Sequence, residues 1–133
     1  MPRNNELIEK LEQEAFKKYP LVCVGGHRVE PMKVTPFGQV GIGWNSILIH
    51  LLARIQNHLE HNPKLQKGFR IAQVKEKYGT LRFYTDGGDA YIEGAIDMAE
   101  GMSCSTCELC GNPGTTKEKQ GWVNTFCVPC RKK

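Results

Sequence analysis

Four cysteines near the C-terminus set the tightest limit on how this chain folds. Cys107-Glu108-Leu109-Cys110-Gly111 and Cys127-Val128-Pro129-Cys130 are two C-x-x-C pairs separated by residues 111–126, and four thiolates at that spacing wrap one tetrahedral zinc ion. Two residues between cysteines let a tight turn aim both sulfurs at one point. Gly111, directly after the second thiol, suits a knuckle whose backbone takes positive φ there. Between the pairs, Asn112-Pro113-Gly114 predicts a turn, and Trp122-Val123-Asn124-Thr125-Phe126 predicts a strand leading into the second pair.

Such a site is closed. It leaves no coordination position for a substrate or an activated water, so it speaks for structure and not for catalysis. A disulfide or a redox C-x-x-C needs only one pair, and two matched pairs favour zinc. Cys104 leaves an alternative first pair, Cys104 with Cys107, which the glycine after Cys110 disfavours. Cys23 lies far from the others and reads as a buried apolar thiol.

At 133 residues the chain is long enough for one ordinary domain, whereas its last thirty residues are too few to bury a core without a metal. The expected architecture is α+β: a small helix and β-hairpin body over residues 1–103, with a zinc-ribbon tail over 104–133 packed on it. No apolar run follows Met1-Pro2-Arg3-Asn4-Asn5, so no secretion signal and no membrane span are expected. The cysteines should then stay reduced in a cytoplasm. A net charge of +4 permits nucleic-acid binding without demanding it.

Leu7, Ile8, Leu11, Ala15 and Tyr19 predict an amphipathic helix between Asn5 and Pro20. Residues 21–43, rich in glycine and proline, predict turns and short edge strands. A core helix should begin near Asn45 or Ser46 as cap, its apolar face built from Trp44, Ile47, Leu48, Leu51, Leu52, Ile55 and Leu59. A two-residue turn at Tyr78-Gly79 then pairs Lys77 with Thr80, Glu76 with Leu81, Lys75 with Arg82, Val74 with Phe83 and Gln73 with Tyr84. That register places Ala72, Val74, Leu81 and Phe83 on one face, ending at Glu76. Gln73, Lys75, Lys77, Arg82 and Tyr84 fall on the other. A third helix follows, with Asp89 as N-cap and Ile92, Ala95, Ile96, Ala99 and Met102 at helical spacing. Gly87-Gly88 lies between two aspartates that repel an anion, so it is a connecting turn and not a phosphate cradle.

Three stretches together resemble a family of small uncharacterised proteins of bacteriophages and prophages. They are Gly41-Ile42-Gly43-Trp44; Val74 to Tyr84 with Gly87-Gly88-Asp89; and Cys107-Glu108-Leu109-Cys110-Gly111-Asn112-Pro113-Gly114 with Gly121-Trp122 before Cys127. The resemblance covers roughly residues 41 to 130; Ile42 stands where the family pattern has an acidic residue. It implies a bacterial host cytoplasm and an accessory task, and it brings no catalytic residues.

Enzyme readings find little support. His58-Leu59-Glu60 with Cys107-x-x-Cys110 resembles the ligand pattern of zinc deaminases. However, no proline precedes Cys107, and the second cysteine pair would be left without a role. No histidine follows His61, so the ribbon carries no general base for a nuclease. His50, His58 and His61 read as helix-surface residues without a third ligand. What remains is binding. Lys75 opposite Arg82 is a like-charge pair that destabilises unless an anion answers it. Lys75, Lys77 and Arg82 form a phosphate-contacting strip, with Tyr84 and Trp122 as stacking rings. The competing internal reading has Glu93, Asp97 and Glu100 of the third helix neutralise these cations. The expected function is therefore non-catalytic, with nucleic acid or a nucleoprotein machine as partner. The alternative is a host protein complex of defence or transcription that the chain inhibits. Neither the partner nor the oligomeric state is legible.

Overall fold

A computed structural model describes residues 2–26 and 31–133. In chain order it runs α1 (Pro2–Lys18), β1 (Val24–Gly26), β2 (Pro31–Lys33), a 3-10 turn (Ile42–Trp44), α2 (Asn45–Glu60), α3 (Pro63–Gln66), β3 (Arg70–Lys77), β4 (Thr80–Asp86), α4 (Ala90–Ser103), β5 (Thr115–Lys119), β6 (Trp122–Phe126) and α5 (Val128–Arg131). The fold is α+β, and the described residues form three antiparallel hairpins, β1–β2, β3–β4 and β5–β6. Part of the 21–43 stretch forms the short edge strands β1 and β2; residues 27–30 lie outside the described residues.

The core gathers on α2. Leu48, Leu52, Ile55 and Leu59 are fully buried at helical spacing, joined by Trp44, Phe69, Leu81, Phe83 and Ile92. The helix begins differently from expectation. Trp44, at the end of the 3-10 turn, occupies the N-cap position, no side chain caps the helix, and Asn45 lies inside it with its Oδ1 buried and without a partner. Gln56 docks the N-terminal segment, its Oε1 accepting from the amides of Leu21 and Val22 at 2.8 and 3.3 Å.

Hairpin β3–β4 has the expected register from Gln73–Tyr84 to Lys77–Thr80. Tyr78 and Gly79 both have positive φ, 53° and 77°, as a primed two-residue turn requires. Glu76 Oε2 accepts from the Gly79 amide at 2.6 Å and holds the turn. One position departs from the alternation. A bulge between Ile71 and Gln73 turns Ala72 out to solvent and gives its place on the core side to Ile71, because an extra residue on one strand shifts which side chains face inward.

Helix α4 closes the free edge of this hairpin. Asp89 caps it, accepting from the Ile92 amide at 3.2 Å. At its other end Ser103 Oγ accepts from Leu81 N at 2.9 Å, and Glu100 Oε2 accepts from Phe83 N at 2.8 Å. Two outward amides of β4 thus find partners and do not stand as an open edge.

Candidate metal centre

The sulfurs of Cys107, Cys110, Cys127 and Cys130 all lie within 4.8 Å of one another, and those of Cys110 and Cys127 are 3.5 Å apart. A tetrahedral ion at the ordinary zinc–sulfur distance of about 2.3 Å separates its ligand sulfurs by about 3.8 Å. The cluster therefore fits a four-coordinate metal ion with little movement. Cys107, Cys127 and Cys130 are buried and Cys110 is exposed.

Local chain geometry aims these sulfurs. In the first knuckle Cys107 N donates to Asn112 O at 2.7 Å and Gly111 N donates back to Cys107 O at 2.9 Å, a turn closed with Gly111 at φ 85°. The second pair opens α5, where Pro129 suits the first turn because its missing N–H is not needed there. Electrostatics favours thiolate at one point of the cluster. Burial opposes ionisation of Cys107, yet hydrogen bonding from the backbone of Cys127, Cys110 and Leu109 outweighs it and lowers the thiol to about 6. Hydrogen bonding to Cys127, with burial, pushes Cys130 up to about 12. A divalent cation answers both, since it favours thiolate at every sulfur.

Cys104 stands outside the cluster. It is exposed, and its thiol points to Glu100 O at 3.7 Å. Cys23 is buried and its thiol is pushed up to about 12 by desolvation, as suits an inert packing residue. The three helix histidines do not converge on the cysteines. His58 Nε2 meets Asp89 Oδ2 at 2.8 Å and its ring stacks on Tyr91 at 4.1 Å. His50 and His61 each bond a backbone carbonyl one turn earlier, those of Ser46 and Asn57.

The ribbon joins the body through glycines. Gly43 N donates to Glu108 O at 2.8 Å and Trp44 Nε1 donates to Thr106 O at 2.8 Å. A Cβ at Gly41 or Gly43 would overlap the backbone of the Cys107–Glu108 knuckle. On the other side Thr125 Oγ1 donates to Gly79 O at 2.6 Å, and the Glu108 carboxylate accepts from Thr125 N at 2.8 Å. Burial raises the Glu108 pKa against that hydrogen bond. The Gly41-Ile42-Gly43-Trp44 run, which the sequence offers as turn, helix start and one of the three stretches of family resemblance, is thus the cradle of the first knuckle.

The residues expected on the binding face occupy two surfaces. Lys75 and Arg82 face each other half-buried on β3–β4, with Lys77 and Tyr84 exposed beside them. Among the described residues no carboxylate reaches Lys75, Lys77 or Arg82 within ion-pair distance. Glu100 instead serves the backbone of Phe83. The Lys75 ammonium lies 5.7 Å from the Tyr84 ring centre, so this ring already has a cation over one face. Trp122 stands on the other hairpin and is 75% exposed. Pairing of Lys119 with Trp122, Lys117 with Asn124 and Thr115 with Phe126 puts these six residues on one side of β5–β6, opposite buried Thr125. Lys117 and Lys119 are therefore neighbours of Trp122. Alternation along Thr115–Lys119 would have shown this had a strand been expected there.

Among the described residues no helix is long and apolar enough to cross a membrane. No family model, no curated protein and no solved structure matches the chain.

Proposed function

We propose that the chain is a non-catalytic accessory protein that binds nucleic acid through a zinc-stapled ribbon, zinc being the ion that a closed four-cysteine site selects in a reducing compartment. The observation that carries this reading is Trp122, 75% exposed at the tip of a metal-braced hairpin, with Lys119 opposite and Lys117 on the same face. A large exposed ring flanked by cations stacks on a base while the cations neutralise phosphates. The unanswered pair Lys75–Arg82 on the body supports a second stretch of backbone contact. Arg131 has a different role: it donates to Thr115 O at 2.7 Å and lies over Phe126, lacing α5 to the ribbon.

The resemblance of three sequence stretches to phage proteins supports a bacterial cytoplasm as the setting we propose for this task. The test is titration of labelled single-stranded and duplex oligonucleotides over a salt series. Affinity should fall steeply with salt. Trp122→Ala should weaken single-strand binding by about tenfold or more, and each of Lys117→Ala and Lys119→Ala should flatten the log-log salt slope by about 0.7 to 0.9. Equal, salt-insensitive signals for all variants would refute the reading.

A further inference from the structure

Helices α2 and α4 pack side by side and antiparallel. Trp44 at the start of α2 reaches Thr106 just beyond α4, while His58 near the end of α2 meets Asp89 and Tyr91 at the start of α4. Between them runs an open groove of about 510 Å³ lined by Ile47, Leu51, Tyr91, Ala95, Met98 and Met102. Tyr91 is 48% exposed, Met98 71% and Met102 48%. Methionine is a pliable apolar contact group, and so large an exposed apolar strip is uncommon on a surface that meets only water. Gly94 also lines the groove, and Gly101 follows two turns later on the same side of α4. Glycine is a poor helix former, and a Cβ at either position would meet nothing within 4 Å. Among the described residues nothing requires these glycines, whereas close approach by another backbone would.

The charges in and beside the groove are split between its two helices. The groove lining itself carries only the α2 cations His50 and Arg54; α4 contains no Lys, Arg or His, and its exposed carboxylates Glu93 and Asp97 lie outside that lining, Asp97 next to Met98 on the outer side of the helix. None of the four has an ion-pair partner among the described residues.

The geometry points to a second copy of this chain as the occupant. A two-fold axis running along the helices stacks the two layers so that α2 of each copy lies on α4 of the other, antiparallel. Such an axis preserves height along the helices. His58 and Tyr91 are level with each other. Arg54 lies four residues before His58, and Ala95 lies four after Tyr91. With a rise of about 1.5 Å per residue in both helices, Arg54 of one copy comes level with Ala95 and within one turn of Asp97 of the other. The basic wall of each groove thus meets the acidic edge of the other, twice by symmetry. Met98 and Met102 leave water in the same step, and Gly94 and Gly101 let the backbones close. This association is independent of nucleic-acid binding.

Sedimentation equilibrium of the full chain with its metal tests the proposal. The mass should rise from 15.0 kDa toward twice that value across the micromolar range. Met98→Lys alters a side chain that is already exposed, so the circular dichroism should be unchanged while self-association weakens by about tenfold or more. Arg54→Asp and Asp97→Arg should each weaken association, and the double variant should restore it. Three results would overturn the proposal: a 15.0 kDa species at every concentration, which would leave the groove to a different helix; association that survives Met98→Lys; or a double variant no better than the singles.

Discussion

The amide of Gly43 donates to the carbonyl of Glu108 at 2.8 Å, so a turn of the body and the first cysteine knuckle meet backbone to backbone. No side chain fits between them. A Cβ on Gly43 would overlap the Cys107 carbonyl oxygen, and neither backbone can yield without moving a cysteine. Gly43→Ala is expected to lower stability by about 3 kcal/mol. Denaturant unfolding monitored by tryptophan fluorescence measures it, and metal retention should fall in parallel. Gly68→Ala, where a Cβ meets nothing within 4 Å, is the control. It should be neutral or stabilising by up to about 1 kcal/mol.

Metal removal should reach beyond the ribbon. Trp44 and Gly79 belong to the body and bond to Thr106 and Thr125 of the tail, so loss of the ion loosens contacts on both sides. Chelation should lower the melting temperature of the whole chain. Cys107→Ser or Cys127→Ser should abolish stoichiometric zinc by elemental analysis, and Cys104→Ser should retain it. Zinc lost with Cys104→Ser would overturn the ligand set.

Lys75 and Arg82 face each other across β3–β4 with no carboxylate among the described residues within ion-pair distance. Lys75→Glu converts a repulsive cross-strand pair into an attractive one. Stability should therefore rise by about 0.5 kcal/mol, while affinity for oligonucleotides falls and its salt dependence flattens. A gain in stability with no change in binding would confine the pair to a structural role.

Asp89 links cap and pH. The hydrogen bond from His58 is the largest influence on its carboxyl and outweighs the opposing desolvation; with the Ile92 amide and the charge of His58 it holds the pKa below the ordinary 3.8. A carboxyl whose folded pKa lies below its unfolded one contributes stability that is complete above the unfolded value. That contribution disappears as pH falls through the folded value. Wild type should therefore lose more stability on acidification below about pH 4 than Asp89→Asn, which keeps a capping oxygen but has no charge to titrate. Unfolding curves at a series of pH values decide this; parallel losses in the two proteins would remove the ionic role of Asp89.

Elements built from neighbouring residues are legible in the sequence. The β3–β4 register follows from alternation about Tyr78-Gly79, and the Asp89 cap follows from one acidic residue ahead of a helical repeat. Strand β5 is not, because Thr115–Lys119 is exposed at every residue and carries no apolar alternation; it is a strand because β6 pairs with it. The alternating pattern puts Ala72 on the wrong face, since a bulge depends on how the partner strand packs and leaves no mark in such a pattern.

The sequence by itself determined that four cysteines come in two matched pairs, that one hairpin divides its apolar from its cationic residues, and that three helices have core faces. These are properties of spacing, which covalent geometry converts directly into direction. The tertiary structure alone decided where those pieces touch. Gly43 against Glu108, Gly79 against Thr125 and Trp44 against Thr106 are close approaches between segments far apart in the chain. Contacts of that kind depend on the mutual fit of backbones, and no local pattern encodes them. The same holds for the surfaces proposed to act: Trp122 gains Lys117 and Lys119 only through strand pairing, and Met98 gains its groove only because α2 lies beside α4.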